Sequence, residues 1–166
     1  MPSDPIIRDL TPTDDVEALV EIAMAAWAPL FEYRREKMGE AIYSAVYPDW
    51  RAAKAGQIRS ACGPGGGAGV CVAEIDGRIV GFVTYFVDAS AHLGRIGNNA
   101  VHPDFQGRGI GTSLYARVIE KLRAAGARVV KVVTGLDPTH AKARRAYAKA
   151  GFNVSIPTAI EYYRQL

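Results

Sequence analysis

The chain has 166 residues and a formal net charge of +3, with 49% hydrophobic and 22% charged residues. That is the size of one domain, large enough to bury a core without metals or disulfides, so a single domain over 1–166 is expected. The mild charge is dispersed apart from Lys142, Arg144 and Arg145, no apolar run reaches membrane-spanning length, and His92, His102 and His140 show no metal-ligand spacing; nucleic acid, membrane and metal are therefore not expected partners.

In chain order, Ile6–Asp9 reads as a first strand. Thr11-Pro12-Thr13-Asp14 then gives a capping signal with Pro just inside a helix start, followed by Val16, Leu19, Val20, Ala23 and Trp27 at helical spacing. Pro29 is expected to interrupt this helix. From Phe31 to Ala61 one or two further helices are expected, broken near Pro48, with Met38, Ile42, Val46, Trp50 and Ile58 as candidate buried positions. The segment GPGGGAG at 63–69 reads as a connector, because no Lys-Ser or Lys-Thr pair follows to make it a phosphate loop.

Strands return at Val70–Ile75 and Arg78–Val87, joined by Asp76-Gly77, a dipeptide that favours a tight hairpin turn. Leu93–Val101 and Val129–Thr134 are the next two, and Phe152–Ile156 with Ile160–Arg164 are expected to form a closing pair. The helix between Val101 and Val129 implies a parallel crossover, so the class is α/β with a mixed sheet.

The most informative stretch is NNAVHPDFQGRGIG, from Asn98 to Gly111. It runs from a strand end through a Pro turn into closely spaced glycines that open an amphipathic helix, in which Ile110, Leu114, Val118 and Leu122 recur every fourth residue before Gly126. Gly107, Gly109 and Gly111 let the backbone turn tightly and approach a ligand, and the N–H groups of a first helical turn attract anions. A second motif, HAKARRAYAKAGF at 140–152, is a short Ala-rich helix with a single Tyr, closed by Gly151. Lys142, Arg144 and Arg145 on it either meet ligand phosphates or form a solvated face.

Together these segments resemble the GCN5-related N-acetyltransferases, the GNAT family. In that family a Q/R-x-x-G-x-G/A segment grips coenzyme A, and Gln106, Gly109 and Gly111 stand at its specified positions. Its later N-x-x-A-x-x-x-Y-x-x-x-G-F helix is matched by Ala143, Tyr147, Gly151 and Phe152, with His140 where Asn is usual. The resemblance is strong from about Val70 to Phe152 and weak before that.

The resemblance implies a fold with helices on both faces of a sheet whose two central strands splay to admit acetyl-CoA as co-substrate. It implies coenzyme contacts at Val101, Gln106, Gly107, Arg108, Gly109, Ile110, Gly111, His140 and Ala143, and Tyr147 as the acid that protonates the departing thiolate. Asn98 and Asn99 would lie near the thioester, or else satisfy backbone groups at a strand irregularity. Trp27 and Phe31, with Tyr33, Tyr162 and Tyr163, either wall an acceptor pocket or belong to the core.

Many relatives carry a Glu on the strand before the pyrophosphate loop, where this chain has Asn98 and Asn99. Glu32, Glu36 and Glu74 have no positional support as a base and His102 is expected to face solvent, so no base is assigned. No G-x-S-x-G segment exists and neither Cys62 nor Cys71 opens a helix, which disfavours an acyl-enzyme.

The expected function is acetyl transfer from acetyl-CoA to a primary amine of a small molecule or a protein, by a monomer or homodimer. The alternative is a coenzyme A sensor without catalysis. A dinucleotide oxidoreductase is disfavoured because the G-x-G-x-x-G spacing is missing. No signal-peptide layout opens the chain, so free thiols and a cytoplasmic location are expected.

Overall fold

A computed structural model describes residues 4–165. Its sheet has five strands, β1 (Ile6–Asp9), β2 (Gly69–Ile75), β3 (Arg78–Asp88), β4 (Leu93–Val101) and β5 (Val129–Lys131), in the order β1-β2-β3-β4-β5. The first four pair antiparallel, and β5 runs parallel to β4. The hairpin between β2 and β3 closes as expected, with Asp76 at φ 49° and Gly77 at φ 75°, the two positive values that a type I′ turn demands.

Helices cover both faces. α1 (Val16–Met38), α2 (Glu40–Val46) and α3 (Trp50–Cys62) precede the sheet's centre in sequence, α4 (Ile110–Ala124) crosses from β4 to β5, and α5 (Ala141–Lys149) follows. Side chains alternate along β2, so Val70 and Val72 join Phe82, Leu19, Ala23 and Ile58 in one apolar layer, while Cys71 and Ala73 join Val83, Leu114, Val118 and Leu122 in the other. The every-fourth-residue stripe of α4 is buried throughout, and Gly126 at φ 90° follows its last turn.

Several expectations need correction. α1 runs through Pro29, because that residue lies on the exposed side, where water can serve the Ala25 carbonyl that loses its N–H partner. Its cap is Asp15, which accepts from the Glu17 N–H at 2.9 Å. Pro12 lies in the preceding turn, and Asp14 instead binds Thr11 and Arg8. The break at Pro48 is real, with Asp49 capping α3 through the Ala52 N–H. Of the candidate core positions there, Trp50 and Ile58 are buried, Met38 and Ile42 partly, and Val46 is exposed.

β5 ends at Lys131 rather than Thr134, and the closing strand pair does not form: residues 152–165 are irregular, with Val154, Ile156, Ile160 and Tyr162 exposed. Strand propensity is realised only against a neighbouring strand, and this segment has none.

Candidate active site

The site begins where β4 parts from its neighbours. Pairing with β5 covers only Leu93–Arg95, opposite Val129–Lys131, so the strands splay from Ile96 onward. On the other side Val83 faces Asn99 while Tyr85 faces Ile96, so Thr84 alone stands opposite Gly97 and Asn98, a β-bulge. The fully buried Thr84 hydroxyl donates to the Asn98 carbonyl at 3.2 Å and locks the bulge. Gly97 is required there, because a Cβ would sit 2.7 Å from Thr84 Oγ1 and 3.1 Å from the Phe86 ring.

Beyond the bulge the ladder resumes, and the His102 N–H donates to the Val80 carbonyl at 2.8 Å. Antiparallel residues alternate in the direction of their backbone groups, so the Val101 N–H and carbonyl point away from β3, into the splay. The Val101 carbonyl accepts from Gln106 Nε2 at 3.0 Å, and Gln106 Oε1 accepts from Lys142 Nζ at 3.3 Å. The Gln106 side chain thereby ties the end of β4 to α5, while its backbone N–H donates to the Pro103 carbonyl at 3.2 Å.

After a 3-10 turn at Pro103–Phe105, Gly107 and Gly109 both take φ 80°, a left-handed conformation that strains any residue with a Cβ. Gly109 is the cap of α4 and supplies no side-chain acceptor, so the first-turn N–H groups are open to an external anion. Gly111 has room, since a Cβ there meets only Tyr115 and Val101 side-chain atoms at 3.9 and 4.0 Å. Ile110 anchors the helix start in the core, and Arg108 folds back onto the Asp104 carbonyl and the Phe105 ring.

α5 delivers Tyr147, 6% exposed, to the same place. Asn99 Nδ2 donates to the Gly97 carbonyl at 2.9 Å, which fixes its amide so that Oδ1 faces two phenols. Tyr115 of α4 donates to it at 2.8 Å and Tyr147 at 3.4 Å. Burial pushes both phenols above the ordinary tyrosine range, so each stays protonated at neutral pH.

The loop before α5 is braced internally. Arg144 donates to the Gly135 and Asp137 carbonyls at 2.7 and 2.9 Å, and His140 Nδ1 lies 2.6 Å from Asp137 Oδ2. Gly135 admits the His140 ring where a Cβ would collide with it. Arg144 is thus spent on the loop, while Lys142 and Arg145 are exposed. Ala143 packs partly buried beside the Tyr147 layer.

Other candidates fall elsewhere. Phe31 is buried and stacked on Trp50, with ring centroids 4.0 Å apart, in an apolar cluster with Tyr43; Trp27 is partly buried beneath Lys54. Glu74 is paired with Arg8 and Glu36 with Lys37. His102 is largely covered, contrary to expectation, with Nδ1 accepting from the Asp104 N–H. Cys62 and Cys71 are free, and burial pushes the Cys71 thiol up to about 12, which removes it as a nucleophile. Among the described residues no cluster could hold a metal ion.

Thr84, Gly97 and Tyr115 are the site residues that sequence reasoning missed. Tyr115 follows the apolar Leu114 of α4 and carries no mark of its partner on β4.

Comparison with known proteins agrees with this geometry. The Acetyltransferase (GNAT) family matches residues 27–152, and the chain belongs to that family. An uncharacterized N-acetyltransferase of Archaeoglobus fulgidus is 36% identical over 85 residues, covering 48% of this chain and 56% of that protein. The chain spans about half the length of the curated relatives it matches.

Among solved structures, a GNAT-family protein from Desulfovibrio desulfuricans superposes with a TM-score of 0.69 at 19% identity, over 92% of this chain and 87% of that one. AAC(6')-Iy, solved with a CoA-S-monomethyl-acetylneamine bisubstrate analogue, gives 0.63 at 20% identity, over 98% and 100%. At such identities the likeness is one of fold.

Proposed function

We propose that this chain is an acetyl-CoA-dependent N-acetyltransferase that moves the acetyl group to a primary amine of a small molecule or a protein by direct attack. The observation that carries this reading is the convergence of the α4 glycine turn, the open edge of β4 and the protonated Tyr147 hydroxyl on one side of the sheet.

Attack by a neutral amine needs the thioester carbonyl polarised, its oxyanion stabilised and a proton supplied to the thiolate. The Val101 N–H in the splay serves the carbonyl. Backbone N–H groups from Gly107 through Gly111 hold the diphosphate, each hydrogen bond to a charged group contributing about 1.5 to 3 kcal/mol gross, while the Gln106 N–H is taken by the Pro103 carbonyl. Tyr147 gives the proton, and water carries away the one that the amine loses. His140 and Ala143 support the Tyr147 segment from α5 and the loop before it, and the Asn98 and Asn99 backbone borders the reacting thioester. Both cysteines are free thiols, which fits a reducing, cytoplasmic location.

Titration calorimetry with acetyl-CoA tests the reading. Micromolar affinity, about 8 kcal/mol, is expected for the native chain and should be lost in Gly111→Val, whose side chain intrudes on the ligand's side of the turn. Undiminished affinity in that variant, or none in the folded native protein, would refute the coenzyme site. Affinity without transfer to any amine would favour the sensor alternative.

A further inference from the structure

Two buried tyrosines share one acceptor in this site, and the proposed chemistry uses only one of them. Asn99 Oδ1 takes hydroxyls from Tyr115 at 2.8 Å and Tyr147 at 3.4 Å, which fills both lone pairs of an amide carbonyl. The rings lie 5.1 Å apart at 46°. The amide cannot turn over without giving up the 2.9 Å bond from Nδ2 to the Gly97 carbonyl, which the bulge holds in place. Tyr115 is 5% exposed and packs in the same apolar layer as Tyr147.

We propose that Tyr115 is a positioning residue for the proton transfer, an inference that rests on the acetyltransferase reading: its hydroxyl holds Tyr147 in place through Asn99 and turns onto the Tyr147 oxygen as that phenol ionises. When the tetrahedral intermediate collapses, the C–S bond breaks and its electron pair leaves on sulfur. The Tyr147 O–H proton passes to that sulfur, and the negative charge moves to the Tyr147 oxygen. On a phenol only 6% exposed that charge needs a donor, and Asn99 offers only its carbonyl on that side. Tyr115 is the donor, exchanging its bond to Asn99 for one to the phenolate. Solvent returns the proton to Tyr147 after the thiol leaves, balancing the proton that the amine has lost to water.

The test is a double-mutant cycle on kcat, using an amine found by screening, with acetyl-CoA affinity measured on each variant. Tyr115→Phe keeps the ring and removes only the oxygen. It should lower kcat about 10-fold with acetyl-CoA affinity and KM unchanged, yet less than about twofold when added to Tyr147→Phe, because its effect passes through that residue. A purely structural Tyr115 would cost the same factor in both backgrounds, and that result, or an unchanged kcat in the single variant, overturns the proposal.

Should Tyr115→Phe not fold, Asn99→Ala keeps both rings and must show the same dependence on Tyr147. A native protein that binds acetyl-CoA but acetylates no amine defeats the acetyltransferase reading, and this inference with it. A native protein that turns over with additive variants defeats this inference alone.

Discussion

The Tyr147 hydroxyl is the one buried proton donor that α5 brings to the open edge of β4, so removing its oxygen isolates its chemistry from its packing. Tyr147→Phe is expected to lower kcat about 100-fold, with acetyl-CoA affinity retained by calorimetry. Gly97 carries a structural demand of similar locality. A Cβ there meets the Thr84 hydroxyl and the Phe86 ring, so Gly97→Ala should lower stability by about 1–3 kcal/mol in urea unfolding. Tyr147 was legible in the sequence because its spacing to Gly151 and Phe152 lies within one helix turn and stop. Asn99's role was not legible, because a strand residue's partner is chosen by whichever helix lands on that face.

Among the elements, the start of α1 and the start of α4 show opposite solutions to unpaired N–H groups. α1 is capped by Asp15, and Arg8 is held between Asp14 at 2.7 Å and Glu74 at 2.7 Å, which binds the turn before the helix to β1 and β2. Arg8, first through its hydrogen bond, holds the Asp14 carboxyl well below the usual carboxylate range. A depressed carboxylate stabilises the fold fully above its unfolded pKa, near 4, and that stability is lost as pH falls below it. Asp14→Asn should therefore cost about 1 kcal/mol in urea unfolding at pH 7, and the difference from the native chain should shrink toward pH 2. α4 instead keeps its donors open behind Gly109, and Gly109→Ala forces φ 80° on an L-residue, at about 1–2 kcal/mol.

The amphipathic stripe of α4 was plain from its period, as was the hairpin at Asp76-Gly77. Pro29 misled because its cost depends on which side of the helix faces water, and a one-dimensional pattern does not say.

For the whole molecule, stability comes from two apolar layers separated by one sheet, and β2 and β3 contribute to both. Leu114 is 1% exposed in the layer that also holds Tyr147. Leu114→Ala should remove about 2–5 kcal/mol, seen as a lower urea midpoint. The sequence by itself determined the strands of the antiparallel part, the crossover through α4, the glycine turn and the family, because each depends on contacts within a few residues or on a fixed spacing. Only the tertiary structure decided that β4 and β5 part after Arg95 and Lys131, that the 152–165 segment stays irregular, that Phe31 is buried against Trp50 and that Tyr115 meets Tyr147 on Asn99. Those outcomes join residues tens of positions apart, and they are set by which surfaces the packed layers bring together rather than by the local preferences of the chain.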